Sequence, residues 1–199
     1  MAVELLTESP LAPPPGLGPY RRQDYDALPD QPRCELLFGR LYVMPSPLLA
    51  HQAAAQTLWQ HLDRIAGEAG GRAYIAPLDV ILADHSIVQP DVIYVSAARL
   101  EILRRWVEGA PDLLVEVLSP GSVRRDRGEK LSLYAQSGIR EYWLVDPEAR
   151  QIEFLVNDQG RFSVALPAAG EYRSQSIPEI HLDIPSFWRE VEVRLPPRP

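Results

Sequence analysis

Two acids stand where apolar residues would be expected. Asp91 opens the hydrophobic run of "QPDVIYV", residues 89–95, and Glu116 sits inside "DLLVEVL", residues 112–118. Side chains alternate faces along a strand. Leu114, Glu116 and Leu118 therefore share one face, and Leu113, Val115 and Val117 share the other. Both faces are otherwise apolar, which makes this a central strand. A carboxylate there costs on the order of several kcal/mol unless it is paired, hydrogen-bonded or bound to a metal. Two carboxylates from neighbouring strands form an oxygen site suited to a hard divalent cation such as Mg²⁺, which needs few protein ligands and keeps waters. A backbone carbonyl such as that of Val117 can fill a further position. The plainer reading makes Glu116 half of a structural ion pair with an arginine, and Asp91 a turn cap.

A third residue stands out by its type. Among the 20 basic residues, Lys130 in "RRDRGEKLSLY" is the only lysine. A surface pair with Asp126 at i,i+4 accounts for a cation there and is worth a few tenths of a kcal/mol. It does not account for the choice of lysine, since arginine would serve equally well.

The elements that must position these residues follow from pattern. The chain has 199 residues, enough for one domain with a real core. No internal repeat or second linker divides it. "PLAPPPGLGP", residues 10–19, reads as a loose tail, giving an expected division into a flexible tail over 1–20, one domain over 21–190 and a C-terminal tail over 191–199. "RRQDYDAL" predicts a short helix ended by Pro29, and "CELLFGRLYVM" predicts a hairpin about Gly39. Leu48, Ala55, Leu58, Leu62 and Ile65 give the helical spacing of a long element that stops at Gly70 and Gly71. "AYIAPLDVIL", "VQPDVIYV" and "DLLVEVL" read as strands. Residues 123–137 read as a helix closed by Gly138, with Leu131, Tyr134, Ala135 and Gly138 as its buried stripe and Lys130 on the flank. "REYWLVD" and "RQIEFLV" form a hairpin, and "PSFWREV" a terminal turn or helix. The order predicts an α/β or α+β fold with a mixed central sheet flanked by helices.

Composition narrows the function. A net charge of −7 argues against a general nucleic-acid coat protein but leaves room for an enzyme with a local basic groove. The single cysteine, Cys34, permits no internal disulfide and fits a reducing cytosol, hence a cytoplasmic protein. No apolar run reaches the roughly 18 residues of a spanning helix, so no membrane is expected as a partner. The acidic "MAVELLTESP" lacks the basic region of a signal peptide. One cysteine and four scattered histidines build no zinc site, and neither a P-loop nor G-x-G-x-x-G is present.

"QPDVIYV" followed by "PDLLVEVLSPGSVRRDRGEKLSLYAQSGIREYWLVDPEARQIEFL" resembles the Uma-two family of restriction endonucleases, in the PD-(D/E)XK nuclease superfamily. "CELLFGRLYVMPSPLLAHQ" resembles the family's first hairpin and helix start, so the likeness spans residues 21–190. It implies a restriction-endonuclease-like fold and metal-dependent hydrolysis of DNA, with Asp91 and Glu116 holding Mg²⁺ or Mn²⁺. The superfamily's lysine, two residues after the glutamate, is replaced here by Leu118. The resemblance places it instead on the following helix, at Lys130. A lysine can orient or deprotonate water, whereas a guanidinium is a poor base.

The resemblance also points to Glu35 as facing the site and to His51 near the start of the long helix. Their plainer roles are an exposed strand acid and a local hydrogen-bonding group. Asp79 either supports the site from behind or is a strand-end acid. Arg124, Arg125 and Arg127 either hold phosphates beside the scissile bond or are solvated charges offset by Asp126 and Glu129. DNA is the expected partner, and a homodimer the expected assembly. The alternative function is a catalytically inactive nuclease-fold protein, a binding or assembly module, which the acidic charge and Leu118 favour.

Overall fold

The computed structural model of the chain describes residues 5–6 and 16–197. The strands are β1 (Leu5–Leu6), β2 (Cys34–Leu37), β3 (Arg40–Val43), β4 (Arg72–Ile75), β5 (Val80–Ala83), β6 (Ser86–Val88), β7 (Val92–Val95), β8 (Val107–Glu108), β9 (Leu113–Val117), β10 (Glu141–Asp146), β11 (Gln151–Asp158), β12 (Arg161–Ala165), β13 (Glu171–Arg173) and β14 (His181–Asp183). The helices are α1 (Arg22–Asp26), α2 (Leu49–Ala69), α3 (Val123–Arg125), α4 (Leu131–Gln136) and α5 (Ile184–Val193). Residues Asp126–Lys130 join α3 to α4 as a π-turn.

The mixed sheet predicted from the sequence is present, accompanied by a second sheet. The central one runs β12-β11-β10-β9-β7-β4, with β9 and β10 parallel and every other pair antiparallel. The second runs β1-β3-β2-β6-β5-β8. The stretch 73–82, expected as one strand, is split between them. Pro77 has no N–H to give to a ladder, so β4 ends before it in the central sheet and β5 starts after it in the second.

Parallel neighbours need a crossover. The chain between β9 and β10 supplies it as α3, the π-turn and α4, closed by Gly138 at φ +79, a conformation glycine adopts without strain. α2 ends likewise on Gly70 at φ +77. The hairpin β2–β3 turns through Phe38 and Gly39, both at positive φ, as a right-twisted two-residue turn requires.

Alternation along β9 divides the interior. Leu113, Val115 and Val117 join Leu58, Leu62 and Ile65 of α2 and Phe187, Trp188 and Val191 of α5 in one core. Leu114 and Leu118 join Leu133, Tyr134 and Leu144 in a second core beneath the crossover. Glu116 faces this second core. Leu48, counted in the helical stripe, is exposed just before α2 begins.

At the N-terminus, residues 1–4 and 7–15 of the expected tail lie outside the described residues, as do 198–199. Within the rest of that segment, β1 pairs with β3, and the Gly18 and Tyr20 amides donate to the hairpin carbonyls of Phe38 and Gly39. At the other end α5 continues past residue 190 to Val193. Beyond it, Arg194 reaches back to Thr57 on α2.

Trp143 on β10 is fully buried. Its ring meets Phe154 and Tyr172 edge-on at 4.9 and 5.3 Å, and its Nε1 donates to Glu141 at 3.0 Å. Trp143→Ala is expected to cost about 3–5 kcal/mol in urea unfolding, from lost burial plus cavity. A loss well below that would show that this core is not continuous across β10.

Candidate active site

The crossover and the two sheets bring their charged residues to one point. A π-turn holds an extra residue per turn and often marks a functional site. Here Lys130 is its last residue, and the side chain is only 1% exposed. Lys130 Nζ lies 2.8 Å from Glu116 Oε1 on β9 and 2.8 Å from Glu35 Oε1 on β2. Asp126 Oδ1, one turn earlier, is 3.7 Å away. Tyr134, one turn later, donates to Glu116 Oε1 at 2.7 Å. The surface pair of Lys130 with Asp126 is thus a buried contact inside a larger cluster.

Asp91 lies where the chain passes from β6 in the second sheet to β7 in the central one. Its Oδ2 accepts from the Val117 amide at 2.7 Å, which fixes the carboxylate against β9. His51, on the first turns of α2, places Nε2 3.2 Å from the same oxygen. Asp91, Glu116, Lys130, Asp126 and His51 line one pocket of about 110 Å³. Asp91 Oδ1 and Glu116 Oε2 accept no hydrogen bond from any described residue.

The other expected residues take distinct places. Glu35 is fully buried and touches Lys130, and its Oε1 also accepts from the Gln89 amide at 2.8 Å. Asp79 sits outside this pocket, bonded to Tyr25 Oη and Gln89 Nε2 at 2.9 Å each, so its link to the cluster runs through Gln89. The three arginines separate. Arg124 is exposed. Arg127 forms a fork with Glu153 at 2.9 and 2.5 Å. Arg125 is 1% exposed, lies over the Tyr42 ring at 4.9 Å and faces Glu35 Oε2 at 3.7 Å. This is a correction: Arg125 is an internal counter-charge and does not present a surface to phosphate.

Burial raises the Glu116 pKa well above the usual carboxylate range, with Lys130 opposing and Asp126, Asp91 and Glu35 adding to the rise. Burial likewise lifts Asp126 to about 6. For Lys130 burial favours the neutral amine, but the carboxylates of Glu116, Glu35 and Asp126 outweigh it and hold the ammonium well above its ordinary range. Lys130 is therefore a fixed cation at neutral pH, with no free lone pair to take a proton. When all are ionised, the four carboxylates of Glu35, Asp91, Glu116 and Asp126 outnumber the cations Lys130 and Arg125 by two charges.

A family model described as "Uma2: Putative restriction endonuclease" matches residues 22–192. The chain belongs to this family. A crystal structure from Anabaena variabilis, described as that of a putative nuclease belonging to DUF820, is similar with a TM-score of 0.72 and 21% identity. The match covers 87% of this chain and 99% of that one, so the two share a fold. No curated protein matches the chain.

Sequence reasoning missed Tyr134 as a hydrogen-bond donor and Asp126 as a member of the cluster. The signal was the spacing: Asp126, Lys130 and Tyr134 recur at i, i+4 and i+8, one face of a helix.

An aspartate that titrates near 3.9 when unfolded and near 6 when folded loses stability for the protein as pH rises between those values. Asp126→Asn is thus expected to raise Tm by a few degrees at about pH 8, with the gain shrinking toward about pH 4. Thermal melts of the two proteins across that range check this. An equal loss of Tm at every pH would mean that Asp126 is held by a net favourable pair with Lys130.

Proposed function

We propose that the chain is a metal-dependent endonuclease that hydrolyses DNA phosphodiester bonds at the Asp91–Glu116–Lys130 pocket. The observation that carries this reading is the convergence of two carboxylates and a permanent cation from three separate elements on one small pocket. The family's description supports it, as does the likeness to the Anabaena variabilis protein, itself described as a putative nuclease.

The residues fit a hard divalent cation. Asp91 Oδ1 and Glu116 Oε2 are oxygens unclaimed by any described donor, and the cluster has an excess of negative charge when its carboxylates are ionised. Among the described residues no group of three or more His, Cys, Asp or Glu forms a cage for a metal. Mg²⁺ asks for less, since one or two carboxylates suffice and waters complete its shell. Asp91 and Glu116, with the Val117 carbonyl, would hold Mg²⁺ or Mn²⁺. The ion when bound would polarise a phosphoryl oxygen and lower the pKa of water.

The chain's own groups do the rest. The Val117 amide and His51 fix Asp91, and Tyr134 and Lys130 fix Glu116. Lys130 offers a preorganised positive charge where the phosphorane carries extra negative charge. Arg124, exposed and free of ion pairs among the described residues, is the phosphate contact that remains of the original three.

Single-turnover cleavage of supercoiled and single-stranded DNA with Mg²⁺ or Mn²⁺ tests the reading. Wild type is expected to cut, and to stop on chelation. Lys130→Arg keeps the charge but forces a broad fork into a buried slot, and is expected to lose about 10²–10³-fold in rate, the scale of a misplaced electrostatic donor, with Mn²⁺ binding kept. Full activity in a folded Lys130→Arg protein would remove Lys130 from the mechanism. A wild type that binds Mn²⁺ and cuts no DNA would favour the inactive binding module.

A further inference from the structure

Beside the pocket lies a groove of about 750 Å³, within the range of small-ligand sites. The two are continuous, since Arg33, Pro77 and Gln89 line both. The backbone amide of Gln89 donates to the same Glu35 oxygen that Lys130 touches, so the wall of the groove is one residue from the cluster.

The groove has the two kinds of group that a nucleotide needs. Trp106 is half-buried in its lining, and the Arg105 guanidinium lies 5.4 Å from the centre of the ring. Arg22, also in the lining, is taken by Asp26 and Glu108 at 3.6 Å each. Arg33 is different. Its side chain has no ion pair or hydrogen bond with any described residue, although acids outnumber bases in this chain. A half-buried, unpaired guanidinium between the two cavities is placed to meet an anion spanning both.

We propose that this groove holds an unpaired nucleotide adjoining the bond to be cut, with its base on the Trp106 ring and its phosphate on Arg33. The proposal rests on the nuclease reading and specifies its substrate as one with a splayed or single-stranded nucleotide. In a duplex the base faces are covered by stacking, and a Trp platform has nothing to grip. An unstacked base offers its whole face, and such contacts are worth about 1–3 kcal/mol each.

The test is fluorescence anisotropy of a labelled oligothymidylate and of a matching abasic strand, in calcium buffer, with strand integrity checked on a gel. Wild type is expected to prefer the thymidylate. Trp106→Ala should bind it on the order of tenfold more weakly, with abasic binding unchanged, and Trp106→Phe should restore most of the loss. Arg33→Ala should weaken both strands equally. Arg105→Ala, altering an exposed residue, probes the same platform should Trp106→Ala not fold, and should lower the thymidylate preference. Equal binding of both strands by wild type, binding of neither, or an unchanged preference in Trp106→Ala and Arg105→Ala overturns the proposal. A wild type that cuts DNA without base preference overturns it while leaving the nuclease reading intact. Base preference with no cleavage of any DNA keeps the groove and overturns the nuclease.

Discussion

The Lys130 ammonium, 2.8 Å from both Glu35 and Glu116, is the contact on which the arrangement of this protein turns. Each partner comes from a different layer: Glu35 from the second sheet, Glu116 from the central sheet, Lys130 from the crossover. Isolated, any one of these charges would be expelled from the interior. Together they are tolerated only in one mutual placement, and removing one partner strands the others. The cluster thereby fixes how the second sheet and the crossover sit on the central sheet. Arg125 and Tyr42 extend the same lock, since Tyr42 Oη donates to Glu129 at 2.8 Å while its ring carries the Arg125 guanidinium.

That lock is not balanced. Carboxylates outnumber cations around the pocket, and burial lifts Glu116 and Asp126 toward the protonated state. A core selected for stability alone would replace such groups with apolar ones. The cation proposed for the pocket would offset that imbalance. The π-turn lies in the same cluster. It spans Asp126–Lys130, and Asp126, Glu129 and Lys130 within it are all buried.

Much of this was legible in the sequence, for physical reasons. The alternation in "DLLVEVL" put Glu116 on a buried face, and β9 divides its side chains between two cores in just that way. The spacing of Leu58, Leu62 and Ile65 and the stop at Gly70 gave α2. The substitution of Leu118 for the expected lysine, with a sole lysine on the next helix, pointed to Lys130. Other features depend on contacts distant in sequence. Pro77 sits in a run that reads as one strand, yet it lies in the link between β4 of one sheet and β5 of the other. Arg125 looked like its neighbours Arg124 and Arg127, and only the Tyr42 ring and Glu35 across the sheet decide that it turns inward. Arg33 and Trp106 are ordinary in sequence and become neighbours of one groove only through the fold.

The most direct measurement is anomalous diffraction from a crystal of the wild-type protein soaked in Mn²⁺. A peak shared by Asp91 and Glu116 is expected, with Lys130 still on the other oxygen of Glu116 and the Val117 carbonyl facing the ion. Mn²⁺ found only on surface acids at saturating concentration, with the pocket showing no peak, would contradict it.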